Sequence, residues 1–223
     1  MTTKWKVLII VVLFIVGSFV TIAVGLYPLA VPTSGDRIGS DADGTALVVI
    51  DIQEDFTRNE GPNAFEQADV ERLIKTVNEL TLRAEESAIP VVYLRQEFST
   101  FFGKLFTQVM TGGLGLEGRP GNRLDPALEV RGPQFVKPIG DGFSSPDFEA
   151  HLRELNVSRL VVVGLDGAAC VQLTARGAMN RGYAVTFVEE GIVTGFPEDW
   201  QEIRDDLVSQ GARVTPPNSA LDE

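Results

Sequence analysis

LVVVGLDGAACVQL, residues 160–173, decides the fold. LVVVG is apolar at every position and of strand length. A Leu-Asp-Gly turn follows, and a helix opens near Cys170. A short run with no polar alternation suits a strand buried on both faces, the habit of parallel sheets. Working outward, ALVVI (46–50), VVYL (91–94), QFVK (134–137), AVTFV (184–188) and ARVT (212–215) read as further strands. Helical patterns separate them. Val70, Leu73, Ile74, Val77 and Leu80 fall on one face, with Glu71, Arg72, Lys75 and Glu79 on the other. Ser145-Pro146 opens a helix with Ser as cap and Pro first, its apolar face Phe148, Leu152 and Leu155. Gly182 closes the helix that begins near Cys170, and Pro197 to Gln210 form the last one. This alternation predicts an α/β fold: a doubly wound, mainly parallel sheet of about six strands with helices on both faces. Ser99 to Arg131 reads as a long Gly-rich loop with Phe101, Phe102 and Phe106 near its start. A loop of that length suggests a lid or an oligomer contact, the latter at 111–121.

The chain has 223 residues, enough for one ordinary domain. Its formal net charge of -12 excludes nucleic acid as a partner, since a phosphate backbone needs a basic face. With 1 Cys and 1 His, an internal disulfide and a structural zinc cluster are both excluded. From Val7 to Leu29 there is no charged residue. That is long enough to cross a bilayer core, which takes about 20 apolar residues. Lys4 and Lys6 precede the run, and basic residues stay on the cytoplasmic side. The expected organisation is a cytoplasmic tip (1–6), a transmembrane anchor in the lipid bilayer (7–31), a flexible linker rich in Gly, Ser, Asp and Pro (32–44), and an extracytoplasmic domain (45–223).

In open α/β sheets ligands bind beyond the carboxyl ends of the strands. Asp51 ends the first strand, Lys137 ends the third, and Cys170 follows the fourth across a short turn. The helix start and the Lys137 ammonium would stabilise a thiolate at Cys170. Asp51 would accept the thiol proton and return it to a leaving amine. Backbone N–H groups of Asp166 and Cys170 would hold the oxyanion. Phe56, Gln96 and Phe143 are candidates for the pocket wall, as are Arg95, Glu97, Phe101 and Phe102. Spacing alone leaves the plainer alternatives open: a buried core cysteine, a turn aspartate and a solvated lysine at a strand end.

Three blocks go further. ALVVIDIQEDF (46–56), GRPGNRLDPAL (118–128) and FVKPIGDGFSSPDFEAHLRELNVSRLVVVGLDGAACV (135–171) resemble, in order and spacing, the signature segments of the isochorismatase-like cysteine hydrolases, which include nicotinamidases and N-carbamoylsarcosine amidases. The resemblance covers Thr45 to Thr215. It implies the family's three-layer α/β sandwich and homo-oligomerisation. It implies hydrolysis of a C–N bond in a small amide, ureido or related compound by an Asp51–Lys137–Cys170 triad, through a covalent intermediate on sulfur. It also implies a non-proline cis peptide at Leu165-Asp166. Nicotinamidase-like members bind a divalent metal through an Asp-x-His pair and a further histidine. Here Gln53 follows Asp51 at the first such place, RQEFS (95–99) has no histidine, and His151 falls on a helix face expected to be solvated. No metal and no cofactor are therefore expected. Two other readings stay open: a membrane-tethered binding protein without activity, and a vinyl-ether hydrolase or isomerase that does not need the cysteine.

Overall fold

The computed structural model describes residues 21, 24–61 and 63–222. Six parallel strands form one sheet in the order β3-β2-β1-β4-β5-β6: β1 (Gly44–Ile50), β2 (Val91–Gln96), β3 (Gln134–Lys137), β4 (Val157–Gly164), β5 (Ala184–Ile192) and β6 (Arg213–Thr215). The helices are α1 (Glu54–Thr57), α2 (Gln67–Glu86), α3 (Phe101–Met110), α4 (Pro146–Glu154), α5 (Gln172–Asn180) and α6 (Pro197–Ser209).

β1 shows why a continuous apolar run was needed. Ala46, Val48 and Ile50 face a core built with Phe148 and Leu152 of α4, Ala175 and Ala178 of α5, and Leu207 of α6. Leu47 and Val49 face the other core, with Leu73, Val77, Leu80 and Ala84 of α2. Both faces of the strand are closed to water, so a polar residue at any of these positions would meet a core. The strand order reverses direction between β1 and β4, and the residues that follow these two strands share the crevice at that point.

Gly164 ends β4 at φ +131, and a Cβ there would overlap the carbonyl oxygen of Ile50 on the paired strand. Gly164→Ala is expected to destabilise the domain by at least about 2 kcal/mol, through forced separation of β1 and β4 at the crevice. Urea unfolding measures this, and an unchanged midpoint contradicts it.

Several sequence expectations are corrected. The segment 99–131 is not a structureless loop, because α3 occupies Phe101–Met110. The Thr100 hydroxyl caps that helix by accepting from the Gly103 N–H at 3.0 Å. Ser145 precedes α4, but its side chain makes no capping bond. Leu155 lies beyond the end of α4 and is exposed. His151 is half-buried, its ring 5.2 Å from that of Phe135, rather than solvated.

The linker is not a free tether. Thr33 donates from N and Oγ1 to Asp141 Oδ2, both at 2.7 Å. Arg181 donates to the carbonyls of Thr33 and Ser34, and Arg153 to that of Asp36. The Ile38 N–H closes on the Arg181 carbonyl. Residues 24–30 are helical. The remainder of the expected anchor at 7–31, apart from Thr21 and Val31, lies outside the described residues. No helix among the described residues is long and apolar enough to cross a membrane.

Candidate active site

Asp51 follows β1 directly, in a left-handed conformation at φ +57 that aspartate tolerates better than most residues. Its N–H donates to the Leu94 carbonyl and its carbonyl accepts from Gln53, which fixes the turn. Lys137 ends β3, two strands away. Neighbouring strands lie about 4.8 Å apart, so only a long side chain crosses β2 to reach β1. The lysine is fully buried and does so: its Nζ lies 2.8 Å from Asp51 Oδ2 and donates to Gln96 Oε1 at 2.6 Å. The approach to Asp51 is an ion pair, and Lys137 and Cys170 both lie within polar reach of the Asp51 carboxylate.

Gln96, expected at the pocket wall, is instead the clamp of this lysine. Its Nε2 donates to the Lys137 carbonyl at 3.1 Å, while its backbone N–H donates to Gln53 Oε1 at 2.6 Å. Gln53 in turn donates to the carbonyls of Gln96 and Asn122. This bears on the metal site of nicotinamidase-like proteins. Gln53 stands in the first place such a ligand would occupy, both donors of its amide are spent, and its oxygen is already held by the Gln96 N–H. Glu97, beyond β2, pairs with Arg95 at 3.0 Å. The residues present do not fit that metal, and no chemistry is assigned to one.

Cys170 is reached from β4 through Gly164, a cis Leu165–Asp166 peptide, and a turn of π-helix at Gly167–Val171 that runs into α5. The Asp166 carboxylate locks this turn. It accepts from Ala168 N at 2.9 Å, Thr194 Oγ1 at 2.5 Å and Gly195 N at 3.0 Å. Backbone bonds engage the amides of Leu165, Gly167, Ala169 and Val171. The amide of Asp166 takes no part in those bonds, and Cys170 lies within the π-helical turn itself.

The electrostatics correct one expectation. Burial pushes the Cys170 thiol up to about 12, the Lys137 ammonium opposes this, and the Asp51 charge adds to it. The net direction is upward, against the lowering that the helix start and the lysine would give by themselves. Burial also raises Asp51, against the pull of Lys137. For Lys137, burial lowers the pKa, but the Asp51 and Cys170 charges outweigh it and the net shift is upward. The site thus combines a thiol and a carboxyl group that both hold a proton more tightly than usual with a lysine whose proton affinity is also raised. A base poised this way suits proton transfer during attack on a substrate.

The remaining pocket candidates scatter. Phe143 is buried in the core, edge-on to Phe148, with the Arg181 guanidinium 4.7 Å above its ring. Phe56 is half-buried against the core on the α2 side of the sheet. Phe101 and Phe102 lie on α3, edge to face at 5.2 Å.

Sequence reading missed three aspartates that shape the site's surroundings. Asp55 holds the 115–121 segment through the Gly115 N–H and Arg119, with Gly121 packed against its carboxylate. Asp125 holds the next residues, its carboxyl lying below the usual range. Burial would raise it, but hydrogen bonds from Arg58 and Thr57 win. Asp141, buried between two glycines, ties residue 33 to the core. The Gly-Asp-Gly run at 140–142 was the available signal. A Cβ on Gly140 or Gly142 would crowd Leu173 or Leu94, and Gly177 is bare where it passes the Asp141 carboxylate.

With the geometry established, the comparisons with known proteins agree in direction. The isochorismatase domain model matches residues 45–218. The isochorismatase family protein YddQ of Bacillus subtilis is 28% identical over 152 residues, spanning 67% of this chain and 78% of that protein. Among solved structures, a cysteine hydrolase from Pseudomonas syringae pv. phaseolicola superposes with a TM-score of 0.71 at 18% identity, covering 85% of this chain and 97% of that one. The N-carbamoylsarcosine amidase of Thermoplasma acidophilum gives 0.66 at 21% identity, covering 79% and 98%. At these identities the structural likeness carries the fold.

Proposed function

The chain belongs to the isochorismatase family, and from that premise we propose that it is a membrane-anchored cysteine hydrolase that cleaves a C–N bond in a small amide, ureido or related compound. The observation that carries this reading is the buried Asp51–Lys137 pair at 2.8 Å, whose charges both act on the Cys170 thiol.

The steps follow from the geometry. Cys170 Sγ attacks the substrate carbonyl as Asp51 takes its proton, so a full thiolate never has to form. The Asp166 and Cys170 amides receive the tetrahedral oxyanion. As that intermediate collapses, Asp51 passes the proton to the departing nitrogen, the C–N bond breaks, and the acyl group remains on sulfur as a thioester. Asp51 then takes a proton from a water that attacks the thioester carbonyl. The C–S bond breaks, the proton returns to sulfur, and the acid is released. Lys137 keeps Asp51 ionised between these transfers and fixes its orientation. The uncharged run at 7–29 supports anchoring, and the two lysines before it support an extracytoplasmic domain.

The test is a panel of primary amides, N-carbamoyl compounds and ureido acids, with ammonia release measured alongside the mass of the Cys170 peptide after acid quench. The expected result is turnover of at least one class with an acyl adduct on that peptide. Turnover with no adduct under single-turnover conditions assigns the reaction to another group and overturns the reading.

A further inference from the structure

Of the 13 large apolar side chains left exposed among the described residues, 5 fall within the ten residues of α3, which makes a patch rather than a scatter: Phe101, Leu105, Phe106, Val109 and Met110. Phe101, Leu105 and Val109 are spaced i, i+4, i+8 and form one stripe, with Phe101 75% and Val109 72% exposed. The opposite side, Gly103 and Thr107, is the side α3 turns to the domain. Single exposed apolar residues are ordinary, but a contiguous stripe marks a surface that meets something.

The neighbouring chain says what. The Phe102 ring lies so close to the backbone of Gly25 that no side chain would fit there. A Cβ on Gly140 would lie 3.9 Å from the Leu29 carbonyl and 3.8 Å from Cys170 Sγ, so Leu29 and the thiol both border Gly140. Tyr27 between these points and Val24 just before them are exposed. The last residues of the uncharged 7–29 run therefore pass α3 and reach Gly140, which also borders Cys170. Thr33, bound to Asp141, comes four residues after Leu29, a reach of at most about 14 Å. Between an anchor ending at Leu29 and the domain there is no slack. The chain's net charge of -12 gives no electrostatic pull toward anionic lipid, and the charge on α3, Lys104, is paired with Glu117 at 2.8 Å.

We infer that the exposed face of α3 seats on the bilayer surface next to the anchor, through apolar contact, so that the Cys170 crevice opens at the lipid boundary. The inference rests on the anchor reading of residues 7–31 and is independent of which bond the enzyme cleaves.

The full-length chain carrying Cys170→Ser gives a background without cysteine. Val109→Cys, Met110→Cys and, beyond the amino end of β2 and so at the other end of the strands from α3, Ser87→Cys each receive the environment-sensitive fluorophore NBD. The chains are placed in phosphatidylcholine nanodiscs with and without doxyl-labelled lipid. NBD at 109 and 110 is expected to shift to the blue and lose at least about half its intensity to the doxyl lipid, with no salt dependence, while NBD at 87 is unaffected. Unquenched labels at both 109 and 110, on a chain that resists carbonate extraction, overturn the proposal. A blue shift that instead follows protein concentration in lipid-free detergent assigns the face to a second copy of the chain and overturns it too. A chain that carbonate washes from membranes overturns the anchor reading and the proposal with it, whatever the amide panel gives.

Discussion

Asp51→Asn is expected to lower amide turnover by roughly 10³-fold while speeding the alkylation of Cys170 by iodoacetamide at pH 8. The two effects point in opposite directions because Asp51 acts on the thiol in two ways. It is the acceptor that makes attack possible without a free thiolate, and its negative charge is one of the causes holding the thiol up near 12. Asparagine removes both. Turnover loses its base, and the Lys137 ammonium acts on sulfur without the opposing Asp51 charge. In the unaltered protein, a thiol so far above the ordinary value near 8.5 should alkylate more slowly than free cysteine at the same pH. Alkylation followed by mass spectrometry and turnover by ammonia release check the pair of effects, with circular dichroism to confirm the fold. If alkylation and turnover fall together, Asp51 serves to form a standing thiolate and the proton-shuttle mechanism is wrong.

The fold was legible because β1 and β4 are buried on both faces, and such strands must be apolar throughout. Asp51, Lys137 and Cys170 were legible for a related reason: they sit where those runs end, and strand ends in a parallel sheet converge. What stayed hidden depended on contacts distant in sequence or on signs that only burial decides. FFGKLFTQVM gave no inward-facing apolar stripe because α3 turns Gly103 and Thr107 to the domain and its large side chains outward, against the assumption on which helical periodicity rests. PTSGDRIGSDADG has the composition of a free linker, yet Asp141 and Arg181, more than a hundred positions later, hold its first residues. The direction of the cysteine shift was misread because a helix start and a lysine are visible in sequence, whereas the desolvation that outweighs them is not.

Lys137→Met should destabilise the domain by about 3–5 kcal/mol, because it leaves the Asp51 carboxylate buried with no counter-charge. Lys137 and Asp51 are both almost wholly inaccessible, and the ammonium is also the donor to Gln96 Oε1. Removing it strands two buried acceptors at once. The double variant Asp51→Asn with Lys137→Met removes both charges and is expected to recover most of that loss, since a buried pair replaced by neutral groups is often close to neutral in stability. Its turnover should stay at the level of Asp51→Asn, because the proton acceptor is gone in both. Urea unfolding in detergent micelles, run beside the amide assay, separates the two quantities. If the double variant is as unstable as Lys137→Met, the lysine contributes packing rather than charge balance, and its part in keeping Asp51 ionised loses its support. Recovery of stability without recovery of rate would mean that this fully buried ion pair is maintained for the proton transfer at Cys170 rather than for the fold.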